Sequence, residues 1–462
     1  MQRFRNSCRA AIILGLFILV RASVADDVSP FRITVKESPS QPAPALQSFA
    51  YGVSGGKWLF VGGRTNGFHR TSDRERTFPS RYANKYIHVV DPAKDIAWKI
   101  GLPASVKQSL SATNPVYYQD GNVLYVIGGY GSSNDKDLPQ DYQTFPTLTA
   151  IRLPEVIQAI TSGHSEDVAA NIVSLADERM RVTGGEMVKL GSNFYLCLGQ
   201  NYDAIYKGAY TGKYTGEVRR FGIEFSGKAL SITDYVAFAD PNGPGPTSQY
   251  HRRDLVAIEA VRPDGSPGIT LLGGVFTNLG GTWVNPILID QDSTGNTKIT
   301  VDGMFDQKMS QYNCAVLTMS DPSARTMFVT LFGGISLYYY DAQGRLTPSS
   351  LDNFTPFISS ITTQVRRADG TTIEYPQAPA DSLPGFLGAN AVFIPLDTLP
   401  RCAGTRSVLD YGKLPNSPSV LLGHVYGGIR ATAPQASEFN PTYANNIIYE
   451  VYLERSAQPA AK

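Results

Sequence analysis

Six segments of the chain combine residue types that bind carbohydrate. Each begins just after a short apolar run that ends in glycine, and together they are rich in Asn, Asp, Tyr and Trp. Planar amides and carboxylates match pairs of sugar hydroxyls, and an aromatic face matches the apolar side of a pyranose ring. Asn, Gly and Ser are also common turn formers, so the large and the cationic side chains carry the prediction. The candidate ligand-binding residues of these segments are Arg64, His69, Tyr130, Tyr202, Trp283, Tyr339 and Arg430.

A second group of polar residues lies just before predicted strands. If these strands surround one axis, the residues project toward one ligand. Arginine there offers bidentate recognition of a carboxylate or sulfate, which favours an acidic sugar. The alternative is that the arginines pair with nearby acids such as Asp254. The candidates of this group are Asn114, Arg181, Arg252, Arg253 and Asn313.

The sequence leaves open whether the protein performs chemistry beyond binding. His251 and Tyr312 are the candidates for proton transfer, because neighbouring arginines would disfavour the protonated form of His251 and leave it a neutral base. A lone histidine is more often structural. The sequence has no GxSxG elbow, no HExxH motif and no P-loop, and its five histidines are scattered. We therefore expect neither a metal nor a cofactor.

The candidate residues belong to an internal repeat of the sequence, and the fold of that repeat must bring them together. An apolar run ending in glycine occurs six times, and consecutive copies lie 60 to 94 residues apart. Strand-like segments joined by Asp-Gly or Gly-Ser turns lie before and after most copies, which is the pattern of β-hairpins. Four antiparallel strands per repeat form one blade of a propeller. The six copies span residues 58–63, 124–129, 194–199, 269–274, 328–334 and 423–428.

The repeat predicts an all-β fold, a six-bladed β-propeller of four-stranded antiparallel blades that forms a single domain over residues 26–462. The last repeat has only three strand-like segments, whereas Phe31 to Val35 has strand character and no partner in the first repeat. We expect this N-terminal strand to complete the last blade and close the ring, which removes exposed strand edges. A short helix is expected from Leu153, inserted in the second blade.

The repeats resemble those of kelch propellers. The apolar run with two glycines, followed by an aromatic residue and then Asp-Pro or Trp, as between Tyr86 and Trp98, is similar to the kelch pattern. The repeats are longer than a typical kelch repeat, and the third copy lacks one glycine of the pair. The resemblance implies the six-bladed fold, with galactose-oxidase-like and sialic-acid-mutarotase-like propellers among its members. It leaves the function open, because kelch propellers include enzymes, sugar binders and protein-interaction platforms.

The N-terminus has the pattern of a secretory signal peptide over residues 1–25. An apolar run from Ala10 to Val20 follows three arginines and precedes the small residues Ser23 to Ala25. A membrane anchor is the alternative, but about eleven apolar residues are fewer than the roughly 20 that a span requires. The pattern predicts a protein that is secreted, periplasmic or on the cell surface, with no membrane span after cleavage.

Three cysteines remain after cleavage of that segment. Cys197 and Cys314 lie in apolar strand-like segments and are expected to be buried, unpaired thiols, whereas Cys402 lies in a Pro- and Gly-rich stretch. An odd count without CxxC spacing argues against a disulfide scaffold and against structural zinc. Of the three thiols, we expect at most Cys402 to react in the native protein.

The charge balance argues against a nucleic-acid partner. The chain has 41 basic and 40 acidic residues, and cleavage of the signal peptide, with its four arginines and no acid, leaves 37 basic residues against 40 acidic ones. A protein that neutralises phosphates would show a basic excess. The expected partner is an extracellular glycan or acidic sugar, bound by a monomer. The alternatives are a carbohydrate-active enzyme, such as a sugar mutarotase, an epimerase or a polysaccharide lyase, and a cell-surface protein-interaction module whose aromatic loops are hot spots.

Overall fold

Six sheets form the body of the protein, and each contains four antiparallel strands. In two of them a short fifth strand is added: Leu409–Asp410 pairs in parallel with Ala315–Asp321, and Thr442–Ala444 pairs antiparallel with Ser419–Ala431. The computed structural model describes residues 29, 31–69, 77–207, 212–341, 343, 345–348, 356–435 and 439–455. The predicted signal peptide lies outside these residues. The sheets follow one another along the chain and form a six-bladed β-propeller, so the fold prediction is confirmed. In each blade we name the strands a to d, from the central axis outward.

The strand bounds follow the repeat read from the sequence. Blade 1 contains Ala50–Ser54, Lys57–Val61, Tyr86–Asp91 and Ile96–Gly101. Blade 2 contains Val116–Asp120, Val123–Ile127, Thr147–Arg152 and Ile172–Ala176. Blade 3 contains Glu186–Leu190, Asn193–Cys197, Glu217–Phe225 and Leu230–Ala239. Blade 4 contains Val256–Val261, Pro267–Leu272, Ile287–Gln291 and Thr297–Val301. Blade 5 contains Ala315–Asp321, Thr326–Phe332, Ile361–Arg366 and Thr372–Pro376.

Blade 6 joins the two ends of the chain. Its strands a to c are Phe386–Pro395, Ser419–Ala431 and Ile448–Arg455, and its strand d is the N-terminal segment Phe31–Glu37. Strand d pairs antiparallel with strand c along its whole length, from Phe31 opposite Arg455 to Glu37 opposite Tyr449. The N-terminal strand therefore closes the ring at the position predicted from the sequence.

The connections between strands b and c contain short hairpins. These connections lie on one face of the ring, which we call the loop face. The hairpins pair Tyr130–Ser132 with Tyr142–Thr144, Gln200–Asn201 with Lys213–Tyr214, and Tyr338–Tyr340 with Leu346–Pro348. In blade 6, Thr442–Ala444 pairs with the end of strand b.

The helix Leu153–Ser162 lies between strands c and d of blade 2, as predicted. Proline stands in its first turn and Gly163, at φ 83°, ends it. Its buried residues Leu153, Val156 and Ile157 pack in the core shared with blade 1. A shorter helix spans Lys107–Leu110. Among the described residues, no helix has the length and the apolar character to cross a membrane.

All three described cysteines are buried and unpaired. Cys197, Cys314 and Cys402 are 0%, 8% and 5% exposed. The burial expected for Cys197 and Cys314 is therefore confirmed, and Cys402 is buried as well. Its Pro- and Gly-rich stretch packs against strand b of blade 5 and places the thiol in the core with Val408.

Native thiol titration should therefore label none of these three cysteines, and all three should react after denaturation. Burial raises the pKa of the Cys314 thiol to about 12 and that of Cys402 to about 11, so the reactive thiolate is scarce as well as inaccessible. The measurement is the number of thiols labelled per chain in the mature protein, with and without denaturant. Prompt labelling of one thiol in the native protein would contradict the packing around that cysteine.

Candidate functional site

A ring of six residues narrows the channel at the loop face. One residue just before strand a, or within it in blade 6, has a left-handed backbone conformation in each blade, with φ from 49° to 65°. Backbone hydrogen bonds link four neighbouring pairs, for example from Asn114 N to Ser48 O at 3.0 Å and from Asp254 N to Gly184 O at 2.7 Å. The residue types are those that tolerate this conformation. The ring consists of Ser48, Asn114, Gly184, Asp254, Asn313 and Asn390.

Two cavities lie on the propeller axis, one on each side of this ring. The central cavity, of about 450 Å³, is lined by the a strands of all six blades. The loop-face pocket, of about 100 Å³, lies among the hairpins above the ring. Four ring residues line both cavities, namely Ser48, Asn114, Asn313 and Asn390.

One side of the loop-face pocket is an aromatic wall. The Tyr206 ring lies 5.1 Å from the rings of His69 and Tyr202, and 5.5 Å from that of Phe78. The Tyr130 hydroxyl accepts a hydrogen bond from Tyr206 N and donates one to Ala204 O, both at 2.8 Å. Burial raises the pKa of Tyr130 and of Tyr206 well above the usual tyrosine value, so these hydroxyls stay neutral. The two tyrosines therefore add no charge to the wall.

The floor of the pocket is polar and balanced in charge. The Arg253 guanidinium is buried, donates to Gln200 Oε1 at 2.6 Å and lies 3.3 Å from the Asp254 carboxylate. The same carboxylate accepts a hydrogen bond from Asn114 Nδ2 at 2.7 Å. The side-chain amide of Asn313 makes no hydrogen bond to another described residue. The floor therefore combines a neutralised ion pair with an amide that is available to a ligand.

The central cavity is polar at both ends. Glu186, in strand a of blade 3, faces it near the ring, and burial together with the Asp254 charge raises the pKa of its carboxyl group to about 8. At the other end, residues 396–418 cross the channel between strands a and b of blade 6. Glu259 holds this segment by accepting hydrogen bonds from Arg406 N at 2.8 Å and from Ser407 N at 2.6 Å. The Arg406 side chain donates to Gln119 Oε1 at 2.9 Å.

Half of the ligand-binding candidates from the sequence meet in the loop-face pocket. They come from blades 1 to 5 and belong to both predicted groups, the loop residues and the residues that precede the a strands. Those that line it are His69, Asn114, Tyr130, Tyr202, Arg253 and Asn313.

The predicted convergence of the arginines is wrong. Arg181 lines neither cavity, because it donates to Glu178 at 2.7 Å and to Thr144 O at 2.6 Å. Arg252 is fully buried below the loop face and donates to Gly273 O at 3.1 Å. Burial lowers the pKa of Arg252 to about 9. Only Arg253 of the three reaches the pocket, and Asp254 already neutralises it.

Contacts within the protein fix the side chains of both candidates for proton transfer. His251 stacks on Tyr214 with the ring centres 3.6 Å apart, and its Nδ1 lies 2.9 Å from Phe276 O. Tyr312 is 3% exposed and packs in an apolar cluster with Ile335. Neither lines the loop-face pocket or the central cavity.

Four remaining candidates lie outside both cavities. Arg64 is buried behind the aromatic wall, with its guanidinium 5.1 Å from the centre of the Phe78 ring, and burial lowers its pKa to about 10. The Trp283 indole donates to His251 O at 2.8 Å and lies over Arg252. Tyr339 and Arg430 are exposed on the loop face. Arg64 and Trp283 thus support the loops and do not reach the pocket.

Several pocket residues were not among the candidates. Asp254 was considered only as a partner for arginine, although its position in the ring is marked by the recurrence of Asn, Asp, Ser or Gly before each a strand. Tyr206 lies in the same loop as Tyr202 and could have been selected by the same criterion. Nothing in the local sequence distinguished Glu186 in the central cavity. The other lining residues that were missed include Gln47, Thr113, Thr183, Gln200 and Phe78.

Comparisons with known proteins add little to this description. No model of a known protein family matches the chain, and no curated protein matches it either. Among solved structures, the chain is similar to YjhT, with 12% sequence identity and a TM-score of 0.46 over 88% of this chain and 99% of that chain. This degree of similarity supports no functional inference. Within the described residues, no group of three or more His, Cys, Asp or Glu side chains is placed to hold a metal ion.

Proposed function

We propose that the protein is a carbohydrate-binding propeller whose site is the loop-face pocket. The observation that carries the proposal is the position of an aromatic wall, with Tyr202 and Tyr206, beside a floor of fixed amide and carboxylate groups, with Asn114, Asp254 and Asn313. A pyranose has an apolar face and an edge of hydroxyls, so it can use both surfaces together. Secretion and the kelch-type repeat are parts of this proposal that rest on the sequence.

The electrostatics of the floor favour a neutral sugar over an acidic one. An anionic ligand needs a cation with spare charge, but Arg253 is already paired with Asp254 and hydrogen-bonded to Gln200. The carboxylate of an acidic sugar that bound Arg253 would also lie close to the Asp254 carboxylate. The two negative charges would repel each other. The neutral hydroxyls of a glycan avoid that repulsion while they use the same amides.

Two alternative functions receive less support from the geometry. An enzyme that relies on His251 or Tyr312 is disfavoured, because one is stacked and hydrogen-bonded and the other lies in the core. A protein-docking platform favours a flat or convex apolar face, whereas the candidates gather in a concave pocket with a polar floor. A small hydroxylated ligand fits that shape better.

The proposal predicts that Asn313→Gly weakens glycan binding about tenfold, since one or two hydrogen bonds to the ligand are lost. The ligand is identified by screening the mature protein on a glycan array, and affinities are then measured by calorimetry. Asn313 has φ 49°, a conformation that glycine adopts easily, and Gly184 is already present at the equivalent ring position of blade 3. The substitution should therefore leave the fold intact.

The matched control is Asn390→Gly, which removes a ring amide that already donates to Gln47 Oε1 at 3.2 Å. We expect a smaller loss of affinity from this variant because its amide is engaged within the protein. Equal affinity of wild type and Asn313→Gly for the glycan found on the array, with both proteins folded, would contradict the assignment of the pocket. The absence of any hit on the array would contradict the function itself.

A further inference from the structure

The central cavity contains one residue that breaks the sixfold pattern of the a strands. Two positions after each ring residue, strand a of every blade has an equivalent residue. Four of these six residues line the central cavity, whereas Ala50 and Val116 pack in the cores between neighbouring blades. Five of the six side chains are alanine or valine, and the sixth is a glutamate. The fold therefore needs only a small apolar group at this position. The six residues are Ala50, Val116, Glu186, Val256, Ala315 and Val392.

The Glu186 carboxyl group has no hydrogen-bond or ion-pair partner among the residues that the structure describes. The titratable groups that act on it or respond to it come from three blades: Asp254 in the ring, Tyr117 in strand a of blade 2, and the buried Cys197 opposite it in its own sheet. None of them supplies a positive charge. A half-buried carboxylate without a partner is costly to ionise, so an arriving cation gains a favourable interaction there.

We propose that the central cavity is a second ligand site, which binds a compact organic cation with a primary ammonium group through the Glu186 carboxylate. Tyr51 and Tyr117 line the same cavity, with their ring centres 5.5 Å apart, and aromatic faces attract cations. At the opposite end of the cavity the Arg406 guanidinium donates to Gln119 Oε1 and lies over the Tyr118 ring, and its positive charge repels a second cation. The cation is therefore held at the ring end.

The site should respond to pH in a defined direction. An ammonium ligand binds the ionised carboxylate, and the pKa of Glu186 in the empty protein is raised to about 8. The ionised fraction rises from about 1% at pH 6 to about 50% at pH 8, so the affinity should increase about 50-fold over that interval. A neutral ligand that accepts a hydrogen bond from the protonated carboxyl group would show the opposite trend.

The experiment is calorimetric titration of the mature chain with ethanolamine and with ethylene glycol, which replaces the ammonium group by a hydroxyl. We expect ethanolamine to bind more tightly at pH 8 than at pH 6, and ethylene glycol to bind at least tenfold more weakly at pH 8. Glu186→Gln should abolish the preference for ethanolamine. Glu186→Val, which places in blade 3 the residue found in blades 2, 4 and 6, should do the same while it preserves the fold.

Three results would overturn the proposal: no binding of ethanolamine at pH 8, equal binding by wild type and both variants, or binding of ethanolamine that weakens as the pH rises. The outcome is independent of the loop-face site. Glycan binding by Glu186→Gln should equal that of the wild type, so that failure of one site is distinguishable from failure of the other.

Discussion

A chain that lacks residues 31–37 should lose its single cooperative unfolding transition. This segment is strand d of blade 6, and all seven of its residues pair with strand c. It also brings the buried side chains of Phe31 and Ile33 into the core shared by blades 5 and 6, where the Phe31 ring lies 5.3 Å from that of Phe328. Its removal exposes that core and a strand edge, and it disconnects the two ends of the ring.

Point variants separate the contribution of packing from that of chain length. Ile33→Ala removes a side chain with no solvent exposure and should lower the free energy of unfolding by about 2–5 kcal/mol. Glu37→Ala, at an exposed position of the same strand, should change it by less than about 0.5 kcal/mol. Urea unfolding followed by fluorescence and by circular dichroism measures both variants. Coincident, wild-type-like transitions in the deletion variant would show that the ring does not need its N-terminal strand.

The fold could be predicted from the sequence because the same physical requirement recurs six times. In five blades, the N–H of the second glycine of the pair donates to a carbonyl of the next blade, as Gly129 N does to Val182 O at 2.9 Å. Only a residue that lacks a side chain allows this approach, so the pair marks each blade in the sequence. Blade 3 is one of these five, because Gly199 N donates to Arg252 O at 2.9 Å although Leu198 takes the place of the first glycine at φ 59°.

The blade that carries each candidate residue could also be predicted from the sequence. The direction in which each side chain points could not. Spacing before strand a placed Arg181 and Arg253 correctly in neighbouring blades. Which way an arginine turns depends on the acid within reach: Glu178, three residues before Arg181, captures that side chain, whereas Asp254 and Gln200 hold Arg253 over the axis. Glu178 lies in the connection before strand a and Gln200 in a b-to-c hairpin, and these segments differ from blade to blade, so the repeat does not predict which partner an arginine will find.

Glu186 is a second residue whose surroundings could not be predicted from its own segment of the sequence. A glutamate at the start of a strand reads as a solvent-exposed residue when the segment is considered alone. Only the comparison of equivalent positions around the ring shows that it stands where the other five blades have alanine or valine. The register of all six a strands is needed for that comparison, and it comes from the ring of left-handed residues.

Among additions of a single methyl group, we expect one at the glycine pair to lower the free energy of unfolding the most. Gly128 has φ 61°, and a Cβ atom there would lie 1.9 Å from Val182 O, the carbonyl that also accepts the inter-blade hydrogen bond from Gly129. Gly128→Ala must therefore displace blade 3 from blade 2. We expect the free energy of unfolding to fall by at least about 3 kcal/mol, which combines backbone strain with overpacking.

Gly121→Ala is the control that isolates this contact. Gly121 lies in the a-to-b turn of the same blade with φ 55°, and a Cβ atom there would meet nothing within 4 Å. The Gly121→Ala variant therefore has the backbone strain of a left-handed alanine, about 1–2 kcal/mol, but no steric clash between its Cβ atom and a neighbouring blade. Urea unfolding of both variants gives the difference. Equal destabilisation would mean that the glycine pair is required only for its backbone conformation, and the close approach of neighbouring blades would then not explain why the motif recurs.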